Sequence, residues 1–224
     1  MPSSREPIAM SWSGGKDSSF ALYTLMKDKR YRVVSLLTTI TKEFDRISMH
    51  GVRRELLNRQ SRSIDIPVLQ VEITYKAGNE EYERKMKEAI ESLKSQGVTK
   101  VAFGDIYLED IRKYREEKMA QAGMSCIFPL WGYDPGKLSR KIIESGFQAA
   151  ICTVDPKKIG KEYAGKDYNL ELIESLPKNV DPCGEKGEFH TFTYDGPIFK
   201  SPVGFVRGEV VERDGFIFAD LVPV

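Results

Sequence analysis

Two rhythms of apolar and polar positions run along the chain. Short, nearly continuous apolar runs at residues 8–12, 31–40, 67–73, 98–103 and 125–131 read as buried strands, because a strand covered on both faces has no polar side to show. Between them, residues 19–27, 49–64, 80–96 and 107–122 carry apolar positions at helical spacing. The clearest is 80–96, where Tyr82, Met86, Ala89, Ile90 and Leu93 share one face and Gly97 supplies the stop; that stripe is assigned to core packing. Strand and helix in alternation predict a parallel sheet with right-handed crossovers.

Beyond residue 131 the pattern changes. Gly132, Pro135 and Gly136 interrupt it, and the remaining chain is mixed: helices at 138–145 and 168–176, a strand at 148–154, and a closing hairpin over 203–224 around Asp214-Gly215, a common hairpin turn pair. The expectation is therefore two units, an α/β domain at 1–131 and a smaller α+β domain at 132–224.

Composition adds bounds. The chain has 224 residues, enough for two small domains, and its charged residues nearly cancel at a net +1, which argues against a nucleic-acid wrapper with its usual basic excess. No apolar run approaches membrane-spanning length, and residues 1–6 lack the apolar segment of a signal peptide, so a cytoplasmic location is expected. Cys126, Cys152 and Cys183 are far apart and form no C-x-x-C pair, so they read as isolated reduced thiols.

The candidate chemistry begins at Ser13-Gly14-Gly15-Lys16-Asp17-Ser18, between the first strand and the first helix. Gly14 and Gly15 permit backbone angles closed to other residues and bring no side chain to block a ligand, so successive amides can face an anion. The helix N-terminus adds partial positive charge, Lys16 adds a full one, and Asp17 or Ser18 can cap the helix. Walker A spacing fails, since Met10 stands where its first glycine belongs, and the G-x-G-x-x-G fingerprint fails too. Thr38 and Thr39 at the end of the second strand fall beside this loop if the two strands are parallel neighbours. His50 starts the second helix as a cap, a surface residue or a ligand contact. Gly104-Asp105-Ile106 ends the fourth strand, where Asp105 can hold Mg²⁺, orient an amine or cap a helix. Glu109, Arg112 and Glu116 share one face of that helix, which makes Arg112 a contact for phosphate or carboxylate.

A second constellation is Asp181-Pro182-Cys183-Gly184-Glu185-Lys186-Gly187-Glu188-Phe189-His190-Thr191, read as an irregular loop that gathers acid, base and hydrogen-bonding groups. The glycine loop resembles the PP-loop of ATP pyrophosphatases. Taken with Gly104-Asp105-Ile106, Glu109-Asp110, Arg112, Pro129-Leu130-Trp131 and the stretch from Gly184 to Thr191, the chain resembles the diphthine–ammonia ligase (diphthamide synthetase) family over nearly its whole length.

That resemblance implies a HUP-type doubly wound, Rossmann-like parallel sheet and an ATP-dependent amidation of diphthine on translation elongation factor 2. Ser13, Gly14, Gly15, Lys16, Asp17, Ser18, Thr38, Thr39 and Gly104 are then expected to bind ATP, with Asp17 on Mg²⁺. Lys16, Asp105, Glu185, Glu188 and His190 are the expected catalytic groups. His50, Arg112, Glu185, Glu188 and His190 would meet substrate, free ammonium is the expected nitrogen source, and a homodimer is a further expectation. Two other readings stay open: a PP-loop ligase or tRNA-modifying enzyme with another acceptor, and a module that binds ATP without turnover. The balanced charge and absent cysteine pairs speak against the tRNA version.

Overall fold

A computed structural model describes residues 5–224, so the reading of residues 1–4 as lacking a leader segment lies outside the described residues. The first sheet carries parallel strands β1 (Glu6–Ser11), β2 (Tyr31–Thr41), β4 (Val68–Ile73), β5 (Lys100–Ala102) and β6 (Ser125–Ile127) in the spatial order β4-β2-β1-β5-β6. Short β3 (Arg46–Ile47) pairs antiparallel with the end of β2. The order reverses at β1, so the carboxyl ends of β1 and β5 form a crevice where the chain turns away in opposite directions. This is a doubly wound, Rossmann-like sheet.

Helices α1 (Lys16–Lys27) and α2 (Arg54–Ile64) cover one face, while α3 (Asn79–Ser95) and α4 (Glu109–Gln121) cover the other. Side chains alternate across a strand. Accordingly, Ile8, Met10 and Trp12 of the first strand and its exit join the core of one face, and Ala9 joins the other.

The second sheet is antiparallel, ordered β8-β7-β10-β9, from β7 (Gln148–Val154), β8 (Phe189–Asp195), β9 (Phe205–Arg213) and β10 (Phe216–Pro223). Helices α5 (Pro135–Glu144) and α6 (Leu170–Ser175) flank it. The hairpin turns as expected at Asp214-Gly215, both with positive φ (52° and 79°), which suits the twist of the strands it joins. The two sheets share a core: Leu138, Ile142, Phe192 and Leu221 pack with Phe20, Leu22, Leu56 and Leu57.

Several elements depart from expectation. The predicted helix over 49–64 begins only at Arg54, because positive φ at Met49 and Gly51 forces a turn that β3 then pairs across. The strand expected over 125–131 ends at Ile127, before Pro129, which has no N–H to offer a ladder. Pro135 and Gly136 do not break a helix but open one: Asp134 caps α5 by accepting from the Lys137 amide at 2.9 Å, with proline in the first turn. The stretch read as a loop to Thr191 becomes a strand at Phe189.

Candidate active site

The glycine loop sits in the crevice at the switch point, and its backbone is held from three sides. Gly14 takes φ of 75°, and its carbonyl accepts from the Thr193 amide at 2.8 Å and from Gln60 Nε2 at 2.9 Å. Gln60, wholly buried on α2, also donates to Thr193 O at 2.6 Å and accepts from Trp12 Nε1 at 3.1 Å. A side chain at Gly14 would meet Gln60 Oε1 at 2.7 Å, so the close approach itself requires glycine there. Neither Asp17 nor Ser18 caps the helix. Gly15 is the cap residue, its amide donates to Ser13 Oγ at 3.3 Å, and Ser18 Oγ donates back to Gly15 O at 2.9 Å. The Lys16 amide donates to Thr191 Oγ1 at 3.0 Å. Among the described residues the amides of Asp17 and Ser18 have no protein acceptor, so the first turn of α1 keeps two open donors of the kind that bind anions. Gly104 lies against this turn, within 3.1 Å of the Ser18 amide by the position its Cβ would take.

Lys16 is almost completely buried. Its ammonium donates to Asp17 Oδ2 at 2.9 Å and to the Cys183 carbonyl, and lies 5.2 and 5.3 Å from the ring centres of Tyr168 and Phe189. Burial opposes its charge, but the Asp17 carboxylate and its other acidic neighbours outweigh it and hold Lys16 above the ordinary lysine value. Asp17 keeps Oδ1 buried without a hydrogen-bond partner.

The acidic stretch arrives from the second sheet. Burial, aided by Asp17 and Asp105, raises Glu185 to about 7 even though the Ile106 amide donates to its Oε1 at 2.8 Å. Glu188 is buried, with Oε1 accepting from the Asp181 amide at 3.2 Å and Oε2 unpartnered. His190, on β8, stacks against His50 with ring centres 4.5 Å apart. Burial drives both imidazoles down, His190 to about 4, so each is neutral near pH 7. Burial likewise pushes the Cys183 thiol up, away from a reactive thiolate. Tyr107 donates to Asp181 Oδ2, and Asp181 Oδ1 accepts from the Cys183 amide at 2.7 Å, which fixes the loop that meets Lys16.

Two further expected residues are engaged in ion pairs. Asp105 Oδ1 accepts from Arg115 Nη2 at 3.1 Å, and its Oδ2 lies 2.8 Å from Arg115 Nε as an ion pair without a hydrogen-bond partner, so the carboxylate ties α4 to the strand end while one buried oxygen stays unpartnered. Arg112 pairs with Glu116 at 2.8 Å and lies over Trp131 and Phe128.

Beside the loop opens a cavity of about 410 Å³, lined by Ser13, Thr38, Thr39, Phe103, Tyr82 and Tyr114 among others. Thr38 is committed to structure, donating to Trp12 O at 2.7 Å. The stripe on α3 divides: Ala89 and Leu93 are buried outside this cavity, whereas Tyr82, Met86 and Ile90 line it. Periodicity alone does not reveal that, nor the part played by Gln60, a buried polar residue inside a helix. The only sequence sign of Gln60 is an uncharged amide in an arginine-rich segment.

A doubly wound sheet that feeds a glycine turn and a helix N-terminus at its switch point, next to a cavity lined partly by aromatic rings, defines a nucleotide-binding α/β architecture. Residues 6–126 match the diphthamide synthase N-terminal domain and residues 134–217 the diphthamide synthase C-terminal domain, so the chain belongs to the diphthamide synthase family. Curated diphthine–ammonia ligases resemble it. That of Schizosaccharomyces pombe is 26% identical over 221 residues, which cover 90% of this chain and 36% of that protein. The Bos taurus protein is 33% identical over 120 residues (50% of this chain, 44% of that protein), and the Danio rerio protein 26% over 231 residues (92% and 89%). The chain thus spans about a third of the length of the fission-yeast relative. Among the described residues no helix is long and apolar enough to cross a membrane.

Proposed function

We propose that this chain amidates the diphthine carboxylate of translation elongation factor 2 with ammonium, using ATP and releasing AMP and pyrophosphate. The observation that carries this reading is the meeting of the two constellations. Thr191, next to His190 and three residues from Glu188, accepts the first amide of the helix that carries the glycine turn, so acid and base groups and an anion site share one crevice.

A carboxylate is a poor electrophile, and one of its oxygens must become a leaving group before an amine can displace it. Attack of the acceptor carboxylate on the α-phosphate gives an acyl adenylate, and negative charge grows on the departing β- and γ-phosphates. The adenosine fits the cavity beside Thr38 and Thr39, while Gly14, Gly15, the open amides of Asp17 and Ser18, and Lys16 form a preorganised positive site for the phosphates. Mg²⁺ would be held by Asp17, whose free Oδ1 suits a metal that binds through one or two carboxylates plus substrate phosphates. When bound, the metal supplies further neutralisation of phosphate charge.

In the second half-reaction ammonia attacks the acyl carbon and AMP leaves. Only neutral ammonia is nucleophilic, so a base must take a proton from ammonium. With Asp105 bound to Arg115, Glu185 and Glu188 remain, and Glu185, titrating near 7, is poised to accept that proton at neutral pH. Neutral His190 and His50 offer an unprotonated imidazole surface to the acceptor.

The test compares nucleotide products with and without acceptor. Incubation with Mg-ATP, ammonium and diphthine-bearing elongation factor 2 is expected to yield AMP and pyrophosphate in proportion to amide formed. AMP formation with tRNA or a small carboxylate but not with the factor would move the reading to another acceptor. ATP binding without any AMP would leave a nucleotide-binding module.

A further inference from the structure

Arg112 and Arg115 lie on one helix, just under a turn apart, and their surroundings differ. Arg115 is paired with Asp105, donating from Nη2 at 3.1 Å with its Nε 2.8 Å from the other oxygen. Arg112 spends only Nε, on Glu116 at 2.8 Å; among the described residues its two terminal nitrogens have no hydrogen-bond partner. Its guanidinium carbon lies over two rings, with centres 4.6 Å away at Trp131 and 5.0 Å away at Phe128. Those rings brace each other edge to face at 5.9 Å, and Phe128 stacks in turn on Phe103 at 5.7 Å.

An arginine on the surface ordinarily loses side-chain entropy when it binds an anion. Stacking on rings that are themselves fixed removes most of that loss in advance, and the planar fork that remains matches the two oxygens of a carboxylate. The platform is also connected to the site. Gly132, next to Trp131, donates its amide to Ile106 O at 2.8 Å, and the Ile106 amide donates to Glu185 Oε1 at the same distance. Two successive hydrogen bonds through Ile106 therefore tie the backbone that carries Trp131 to the carboxylate assigned to proton transfer.

We propose that Arg112 receives the reacting carboxylate of the acceptor, and that Trp131 and Phe128 are positioning residues that hold its fork. The assignment rests on the amidation reading above and deepens it by naming the group that discriminates a carboxylate-bearing acceptor from the unmodified one. It also separates the two halves of the site: α1 and the cavity handle ATP, and the start of α4 handles the acceptor.

Binding of elongation factor 2 with and without diphthine is measured without nucleotide, and ATP binding in parallel, for wild type, Arg112→Lys, Trp131→Leu and Trp131→Phe. Arg112→Lys keeps the charge and removes the fork, and is expected to weaken the diphthine-bearing factor about tenfold while leaving unmodified factor and ATP unchanged. Trp131→Leu should weaken it in the same direction, and Trp131→Phe should restore most of the affinity. Because Arg112 and Trp131 are partly exposed, the variants are expected to fold, and unchanged ATP affinity verifies that they do. Wild type that discriminates the two forms, with Arg112→Lys retaining that discrimination, overturns the assignment alone. A loss confined to ATP affinity makes Arg112 a phosphate contact, and equal weakening of both forms makes it a contact to some other acidic group; either also overturns it. Wild type that binds both forms equally overturns the amidation reading and the assignment with it.

Discussion

The two faces of the parallel sheet are built to different ends. On the face covered by α1 and α2, the second sheet closes down and a single core runs from Ile8 and Trp12 through Leu56 to Phe192 and Leu221. Side chains there tie the two sheets together: Gln60 joins Trp12, Gly14 and Thr193, while Arg46 and Arg53 both grip Asp220 of β10. On the face covered by α3 and α4, the core is smaller and stops short of the strand ends, leaving the 410 Å³ cavity with Tyr82 and Tyr114 at its rim. The sealed face fixes the glycine loop, and in the proposed reaction the open face admits the nucleotide. Preorganisation and access are thus assigned to opposite sides of one sheet, and the glycine turn lies where they meet.

The strongest test of this division is Lys16→Ala. If the buried ammonium serves the transition state, ATP-dependent turnover should fall by roughly 10²–10³, about 3–4 kcal/mol, by analogy with the loss of one preorganised donor. Steady-state kinetics with wild-type rates would break the link between the sealed face and chemistry. Next in size is Gln60→Leu, which leaves the Trp12 indole and the Thr193 carbonyl without their partner and should cost about 2–3 kcal/mol of stability, read as a lower urea midpoint. An unchanged midpoint would show that the loop is held by Thr193 alone.

A smaller effect is expected at Asp220. Hydrogen bonds from Arg53 and Arg46 lower its carboxyl from 3.8 to about 2, so this stabilisation is present in full above the unfolded value and is lost as pH falls through the folded one. Its partial exposure discounts the shift to about 1–2 kcal/mol, and Asp220→Asn should lower stability at pH 7 by that amount and progressively less as the pH is taken down toward the folded value. Smallest is Tyr82→Ala on the open face. It should weaken ATP about threefold to tenfold through lost ring contact, measured by titration calorimetry, with thermal stability unchanged. Loss of stability instead would return Tyr82 to the core stripe that helical spacing suggests.

Local chemistry is readable from sequence and distant pairing is not. The glycine turn, the alternation of strand and helix, and the Asp214-Gly215 hairpin each depend on neighbours within a few residues, and the structure has each as expected. Gln60 reaches Gly14 across 46 positions, and Lys16 reaches Thr191 across 175, so no periodicity points to either contact. Glycines in the stretch before Phe189 suggest a loop to Thr191. The β-rich run Phe189-His190-Thr191-Phe192-Thr193 outweighs them once β7 offers a partner. Spacing also puts Glu109, Arg112 and Glu116 on one charged face behind Asp105. Yet α4 turns Arg115 to the aspartate and Arg112 to the rings, a difference fixed by the helix starting at Glu109 and by where Phe128 and Trp131 fall.

In the proposed reaction the acceptor carboxylate itself attacks the α-phosphate. Diphthine-bearing elongation factor 2 with heavy oxygen in that carboxylate, incubated with Mg-ATP and ammonium, tests this step most directly through the mass of the AMP released. Acyl-adenylate formation and then aminolysis places the label in AMP. Amide formation with unlabelled AMP, or with ADP as the product, would contradict the mechanism.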